Sequence, residues 1–242
     1  MKCYADNLSQ VSHTMTANKE KRLAAEAAIR HVSDGMCLGV GTGSTVAIFI
    51  ELLAERISAE GISITAVPSS YATLLQLHDV GISTTPLGCV TSLPCAVDGA
   101  DEVDAKLALI KGGGAALLRE KILAEAAQQF VIIVDNAKLV KALGTRVPVP
   151  VEVLPEALAL AMDRIQQLGG SPMLRQAERK AGPVITDNGN FILDVTVPKI
   201  SNPAKLDKDL KSIPGIIESG LFPNQADVVY VGQEKGVKLL QR

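Results

Sequence analysis

Small apolar residues recur at helical spacing over residues 19–31, with Leu23, Ala24, Ala27 and Ala28 on one stripe, and predict an amphipathic helix. Asp34-Gly35 then turns the chain, and the unbroken apolar run 36–40 predicts a buried strand. A second helix is expected through Val46, Ile48, Phe49, Leu52 and Leu53, with Ser44 or Thr45 as its cap and Gly61 as its stop, before a strand over 62–67. The alternation continues with a helix near 71–78, a strand at 95–97, a helix over 115–128 and a strand over 130–135. Such alternation predicts a parallel sheet wound with helices.

The texture changes at Val147-Pro148-Val149-Pro150-Val151, where prolines alternate with valines. An amphipathic helix over 155–168 follows, then short strands at 173–176, 184–186 and 191–195, separated by turn-forming residues at 180–183 and 187–190. Asn202-Pro203 caps a further helix to about residue 211, and the last apolar strand, 227–231, is expected to return to the main sheet. The fold class is therefore α/β: a Rossmann-like wound parallel sheet with a second, smaller α+β (ferredoxin-like) domain inserted before the C-terminal strand. The expected division is 19–146 with 226–242 for the α/β domain and 147–225 for the small one. Residues 1–18 are polar and aperiodic and read as a flexible extension, with Met15 as an alternative start.

Composition narrows what this fold can do. The 242 residues are 47% hydrophobic but only 3% aromatic, so the core is built of Ala, Val, Leu and Ile, as in buried parallel sheets. The formal net charge of −2 arises from mixed acids and bases, which gives neither a basic stripe nor a stacking surface for nucleic acid. No stretch approaches the roughly 18 consecutive apolar residues of a membrane helix. Cys3, Cys37, Cys89 and Cys95 form no Cys-x-x-Cys pair, and His13, His31 and His78 are scattered, so reduced thiols in a cytoplasmic protein are expected rather than a zinc frame or disulfides.

The first candidate chemistry lies in Gly39-Val40-Gly41-Thr42-Gly43-Ser44-Thr45, directly after a strand. A dinucleotide fingerprint would need glycine at 44 and an acid after the second strand, where Pro68-Ser69-Ser70 stands. A Walker lysine is also missing before Ser44-Thr45. What remains is a strand-to-helix turn whose free N–H groups and hydroxyls can hold one phosphate.

Asp98, Asp101, Glu102 and Asp104 follow an apolar strand, at the sheet edge where open α/β folds bind ligands. A divalent metal is one candidate for such a cluster, but the order does not match a calcium loop; a solvated turn is another. Lys111-Gly112-Gly113-Gly114 opens the next helix and can bring a cation and bare N–H groups to the same edge, an arrangement suited to a developing oxyanion. Within that helix Glu120 shares an apolar stripe with Ala116, Leu123 and Ala127, so burial should raise its pKa and suit it to proton transfer. Lys121 and Glu125, by contrast, have the spacing of an exposed ion pair. From spacing alone Lys21 and Lys138 read as solvated lysines.

The runs 39–45, Val-Asp-Gly-Ala-Asp-Glu at 97–102, Ile-Lys-Gly-Gly-Gly-Ala-Ala at 110–116, Arg-Glu-Lys at 119–121, Pro-Val-Glu-Val at 150–153 and Thr-Asp-Asn-Gly-Asn at 186–190 stand together in one order. In that order and near-spacing the chain resembles ribose-5-phosphate isomerase of type A, from about residue 19 to its end. The N-terminal extension, Pro68 and an added turn at 178–183 depart from the pattern without touching these motifs. The resemblance implies interconversion of ribose 5-phosphate and ribulose 5-phosphate through an enediolate, without metal or organic cofactor, in a homodimer. It implies Glu120 as the base and Lys111 with the N–H groups of Gly112, Gly113 and Gly114 as oxyanion stabilisers. Asp98 and Asp101 would serve the sugar hydroxyls and ring opening, with their roles undivided, and Gly99 and Ala100 would line the site beside them. Thr42, Gly43, Ser44 and Thr45 would line it too, Ser44 and Thr45 nearest the phosphate, with Lys21 and Lys138 as its positive partners. A sugar-phosphate deaminase, or another isomerase on a similar fold, would keep a phosphate loop and an acid without the Lys111-to-Glu120 spacing. A non-catalytic sensor would add a DNA-binding segment, for which residues 1–18 are too short and too weakly basic.

Overall fold

The computed structural model describes the backbone of residues 2–242 and the side chains from Thr16 onward. Residues 2–18, expected as an aperiodic extension, are helical in backbone and run directly into the helix expected from residue 19; side chains before Thr16 lie outside the described residues. Helix α1 (Lys2–Ile29) ends within two residues of expectation. Its Ala24, Ala25 and Ala28 are fully buried, and their small side chains let the helix lie close against the sheet.

The main sheet is built from β1 (Cys37–Val40), β2 (Thr65–Pro68), β3 (Cys95–Asp98), β6 (Phe130–Asp135), β12 (Val228–Gln233) and β13 (Gly236–Gln241). Its order is β13-β12-β6-β3-β1-β2, with every pair parallel except β12–β13. Between β1 and β2 runs α2 (Ser44–Glu60), whose Val46, Phe49, Ile50 and Leu53 pack with the α1 alanines on one face. After β2 comes α3 (Tyr71–Asp79), capped by the Ser70 hydroxyl, which accepts from Thr73 N–H. The opposite face is covered by α4 (Leu117–Ala126) through Leu123 and Ala124. Because β1 lies between β2 and β3, successive connections leave it in opposite directions and open a crevice at the C-terminal edge.

A second sheet contains β7 (Val149–Val153), β8 (Ser171–Leu174), β9 (Phe191–Thr196) and β10 (Ile216–Ser219), ordered β10-β7-β9-β8 and fully antiparallel. With α5 (Leu158–Gln167) and α6 (Pro203–Lys211) it forms a βαββαβ unit, the ferredoxin-like arrangement. Three short strands, β4 (Glu102–Val103), β5 (Leu109–Ile110) and β11 (Leu221–Phe222), join this unit to the main sheet.

Several local expectations change. The proline-valine run is β7 itself, since Pro150 stands at the strand's second position and its carbonyl still accepts from Gly220 N–H at 2.7 Å. Residues 184–186 make only isolated bridges, and β8 begins at Ser171 rather than at 173. The polar-flecked C-terminal edge strand β13, antiparallel to β12, carries too little apolar alternation to be read as a strand. Gly43, not Ser44 or Thr45, is the N-cap of α2; its φ of 130° suits glycine, and no side chain caps that end. Finally α4 starts at Leu117, because the chain turns through Ala115 at φ 59° before it can become helical.

Candidate active site

Three loops meet at the crevice between β1 and β3. The loop after β1 runs over Gly41, where an added Cβ would lie 1.9 Å from the Asp98 carboxyl carbon, so only glycine lets these two segments pass. Asp98, at the end of β3, is fully buried. Its Oδ1 accepts from Gly99 N–H at 2.7 Å and Thr42 N–H at 3.1 Å. The Lys111 ammonium sits 2.9 Å from Asp98 Oδ2 and 3.4 Å from Glu120 Oε2, and donates to the Gly99 carbonyl at 2.7 Å. Asp101 accepts from Gly113 N–H at 2.8 Å.

These contacts set the charges. Burial pushes the Glu120 carboxyl from an ordinary 4.5 to about 8; Lys111 opposes this and the Asp98 and Asp101 charges reinforce it. Burial also raises Asp98, with Lys111 and two backbone N–H groups pulling against it. Burial works against the Lys111 charge as well, but the carboxylates of Asp98, Glu120 and Asp101 outweigh it and hold the ammonium above its ordinary value. The centre is thus one retained cation between two carboxyls that resist ionising together. Glu120 Oε2 makes no hydrogen bond, which leaves that oxygen free to exchange a proton.

The cavity above this centre has a volume of about 110 Å³. It is lined by Lys21, Thr42, Gly43, Ser44, Thr45, Gly99, Ala100, Asp101, Lys111, Gly112, Gly113, Gly114, Glu120 and Lys138, all residues singled out in the sequence. Asp98 is the exception: it stands beneath the cavity as the partner of Lys111. At one end the first turn of α2 presents its N–H groups, Lys21 Nζ donates to Ser44 Oγ at 3.1 Å, and Lys138 faces them. This end concentrates positive charge for an anion, while the Glu120 end holds the proton-transfer groups.

Of the four clustered acids only Asp98 and Asp101 belong here. Glu102 is buried beneath the 144–147 loop, accepting from the N–H groups of Gly144, Arg146 and Val147, and Asp104 accepts from Lys106 and Ala108 to close a turn. Among the described residues no three His, Cys, Asp or Glu side chains converge as metal ligands.

The family model for ribose 5-phosphate isomerase A (phosphoriboisomerase A) matches residues 65–236. The chain belongs to the ribose-5-phosphate isomerase A family. The enzyme of that name from Synechococcus sp. is 46% identical over 92% of this chain and 96% of its own, and that from Pyrococcus abyssi is 44% identical over 94% and 100%. Among solved structures, ribose-5-phosphate isomerase A from Methanocaldococcus jannaschii superposes with a TM-score of 0.89 at 42% identity, covering 92% of this chain and 98% of that one. A ribose-5-phosphate isomerase in complex with phospho-erythronic acid gives 0.91 at 44%, covering 93% and 99%.

Seen as a ribose-5-phosphate isomerase A, the chain carries supports that sequence reasoning did not find. The Thr42 hydroxyl lies 2.7 Å from Ser69 Oγ and 2.8 Å from Ser70 Oγ, and Thr73 Oγ1 donates to the Gly41 carbonyl at 2.7 Å, which ties the glycine loop to the start of α3. In the sequence the Ser-Ser pair marks only the place where a dinucleotide site would need an acid. Val46 also lines the cavity, as a consequence of α2 starting at Ser44. Lys121 is not the exposed partner of Glu125: it is 5% exposed and bonds Glu218 at 2.8 Å, Asp207 at 3.2 Å and the Ser219 carbonyl. Its i, i+4 spacing gave no sign of this, because the acids that hold it come from the βαββαβ unit.

Proposed function

We propose that this protein interconverts D-ribose 5-phosphate and D-ribulose 5-phosphate by proton transfer through an enediolate, in the pentose phosphate pathway. The observation that carries the reading is Glu120, buried, raised to a pKa of about 8 and set beside a permanent ammonium. A proton on carbon next to a carbonyl is only weakly acidic, so its removal needs a positioned base and strong stabilisation of the oxyanion that forms. Glu120 moves the proton between C2 and C1. Lys111 donates to the Gly99 carbonyl and is ion-paired with Asp98 at 2.9 Å and with Glu120 at 3.4 Å; an ammonium with three N–H donors keeps capacity for the oxyanion. The same separation of base and electrophile operates in triosephosphate isomerase.

Asp98, withdrawn beneath the cavity, fixes Lys111, whereas Asp101 lines the cavity and serves the sugar hydroxyls and ring opening. The phosphate is held at the α2 end by Ser44, Thr45 and the first-turn N–H groups, with Lys21 and Lys138 as counter-charges. A cytoplasmic location accords with free Cys37, Cys89 and Cys95, and with no described helix being long and apolar enough to cross a membrane. A homodimer is what the family resemblance supports.

The direct test is conversion of ribose 5-phosphate to ribulose 5-phosphate by purified protein in EDTA. Turnover is expected; a folded protein that leaves the aldose unchanged would sink the reading. Within it, Lys138→Ala and Ser44→Ala should each raise KM about 10-fold with smaller changes in kcat, since they remove charge-assisted or neutral contacts to a group remote from the reacting carbons. Steady-state kinetics showing an unchanged KM in both would move the phosphate elsewhere.

A further inference from the structure

We propose that Arg175, contributed by the βαββαβ unit, is a positioning residue that holds the Gly112–Gly114 loop so that the Gly114 N–H is aimed at the reacting oxygen. The inference rests on the isomerase reading above and adds a residue to it. Arg175 follows β8 and is held in the sheet by its N–H, which donates to the Ile192 carbonyl at 2.9 Å. Its guanidinium grips Asp194 of β9 in a two-pronged ion pair, with Nε 2.9 Å from Oδ2 and Nη2 on Oδ1. The remaining Nη1 reaches across to the loop between β5 and α4, donating to the Gly112 carbonyl and the Gly113 carbonyl at 3.0 Å each.

A trans peptide points its C=O and its N–H to opposite sides, and the described chain contains no cis bond. Holding the Gly112 carbonyl therefore turns the Gly113 N–H away from Arg175, and it is found on Asp101 at 2.8 Å. Holding the Gly113 carbonyl turns the Gly114 N–H the same way. That N–H has no acceptor among the described residues, and Gly114 lines the cavity. It is an oxyanion donor oriented by a charge on the far side of its own peptide, and a cation on the carbonyl also makes the N–H a better donor.

The loop needs such a hold. Gly112 has φ 99°, and Ala115 at φ 59° is a non-glycine residue in the left-handed region, a conformation that persists only where its surroundings impose it. A lysine could not substitute, because a single ammonium lacks the planar fork that meets Asp194 with two nitrogens while a third spans two carbonyls.

The test is kinetic. Arg175→Ala should lower kcat about 10- to 100-fold with KM within about threefold of wild type, as expected when a donor is misaimed while substrate binding is kept. It should weaken binding of phospho-erythronic acid, whose carboxylate carries charge where an enediolate oxygen would lie, by a similar factor. Millimolar guanidinium chloride should restore part of the lost kcat, and sodium chloride at equal ionic strength should not. A purely structural role would instead reduce the fraction of active enzyme, with no guanidinium rescue. If Arg175→Ala does not fold, Asp194→Asn, which loosens the fork and keeps its volume, should show the same kcat-selective loss. Wild-type kcat in the folded variant, or loss that guanidinium fails to restore, overturns the proposal; absence of turnover in the wild type overturns the isomerase reading instead.

Discussion

Glu120→Gln is expected to lower kcat by about 10²- to 10⁴-fold while leaving KM nearly unchanged, the range a positioned general base contributes. The amide keeps the shape of the carboxyl and its place beside Lys111, which lies 3.4 Å from Oε2, so the cavity is preserved and the proton acceptor is lost. The pH dependence follows with a definite sign. The free enzyme needs Glu120 ionised, and its pKa of about 8 means that kcat/KM of the wild type should climb with pH and level off above that value. Residual activity of the variant should lack this limb. Stability should move the opposite way. A carboxyl whose pKa rises from 4.5 to about 8 on folding favours the folded state only while protonated, so its contribution is complete below 4.5 and is lost as the pH climbs through 8. Glutamine does not titrate. The variant's Tm should therefore gain on the wild type between pH 5 and pH 9, measured by calorimetry at both. Wild-type turnover would remove Glu120 from the base role, and a Tm difference independent of pH would contradict its raised pKa.

How far this could be read from the chain depends on where each interaction is written. The helix stripe that hid Glu120 among Ala116, Leu123 and Ala127 is local, and the residue is indeed 3% exposed. Glycines next to chemistry were equally legible, since a loop after β1 that must pass so close to Asp98 tolerates nothing larger at Gly41. Strand identity failed where tertiary pairing overrode local pattern. Pro150 interrupts the local strand pattern, yet β7 is an inner strand because Val151 and Val153 are buried in the core of the second sheet. Partners distant in sequence were beyond reach altogether. Glu152 is fully buried and accepts from Thr186, Asn188 and Asn190, so two motifs noted separately are one buttress, and Arg119 of α4 binds the same turn at Asn188 and at the Asp187 carbonyl. Arg119 and Lys121 thus fasten the flanks of Glu120 to the βαββαβ unit. No spacing rule joins residues 119–121 to residues 187–188, 207 and 218; the fold does.

Lys111→Met should damage activity and stability together, lowering turnover to below about one-hundredth of wild type. The ammonium is 2% exposed and is the cation shared by Asp98 and Glu120, so methionine fills the space of its stem but leaves two buried carboxyls facing each other uncompensated. Removing one partner of a buried ion pair costs about 3–5 kcal/mol, because the remaining charge has neither water nor counter-ion. The protein can escape part of that cost by taking up protons, which moves both carboxyl pKa values further above the positions burial already gives them. Groups raised in this way stabilise the fold below their ordinary values and cease to do so as pH rises through the folded ones. The loss of Tm relative to wild type should therefore be modest near pH 5 and grow through pH 8 and beyond. Activity should not return at high pH, where Glu120 could ionise again, because the oxyanion would still lack its cation. Thermal melts at pH 5, 7 and 9 together with kcat at each pH decide the matter. A deficit in Tm that shrinks as pH rises would mean that Lys111 is not the charge holding these carboxyls, and a kcat within tenfold of wild type would take the oxyanion away from it.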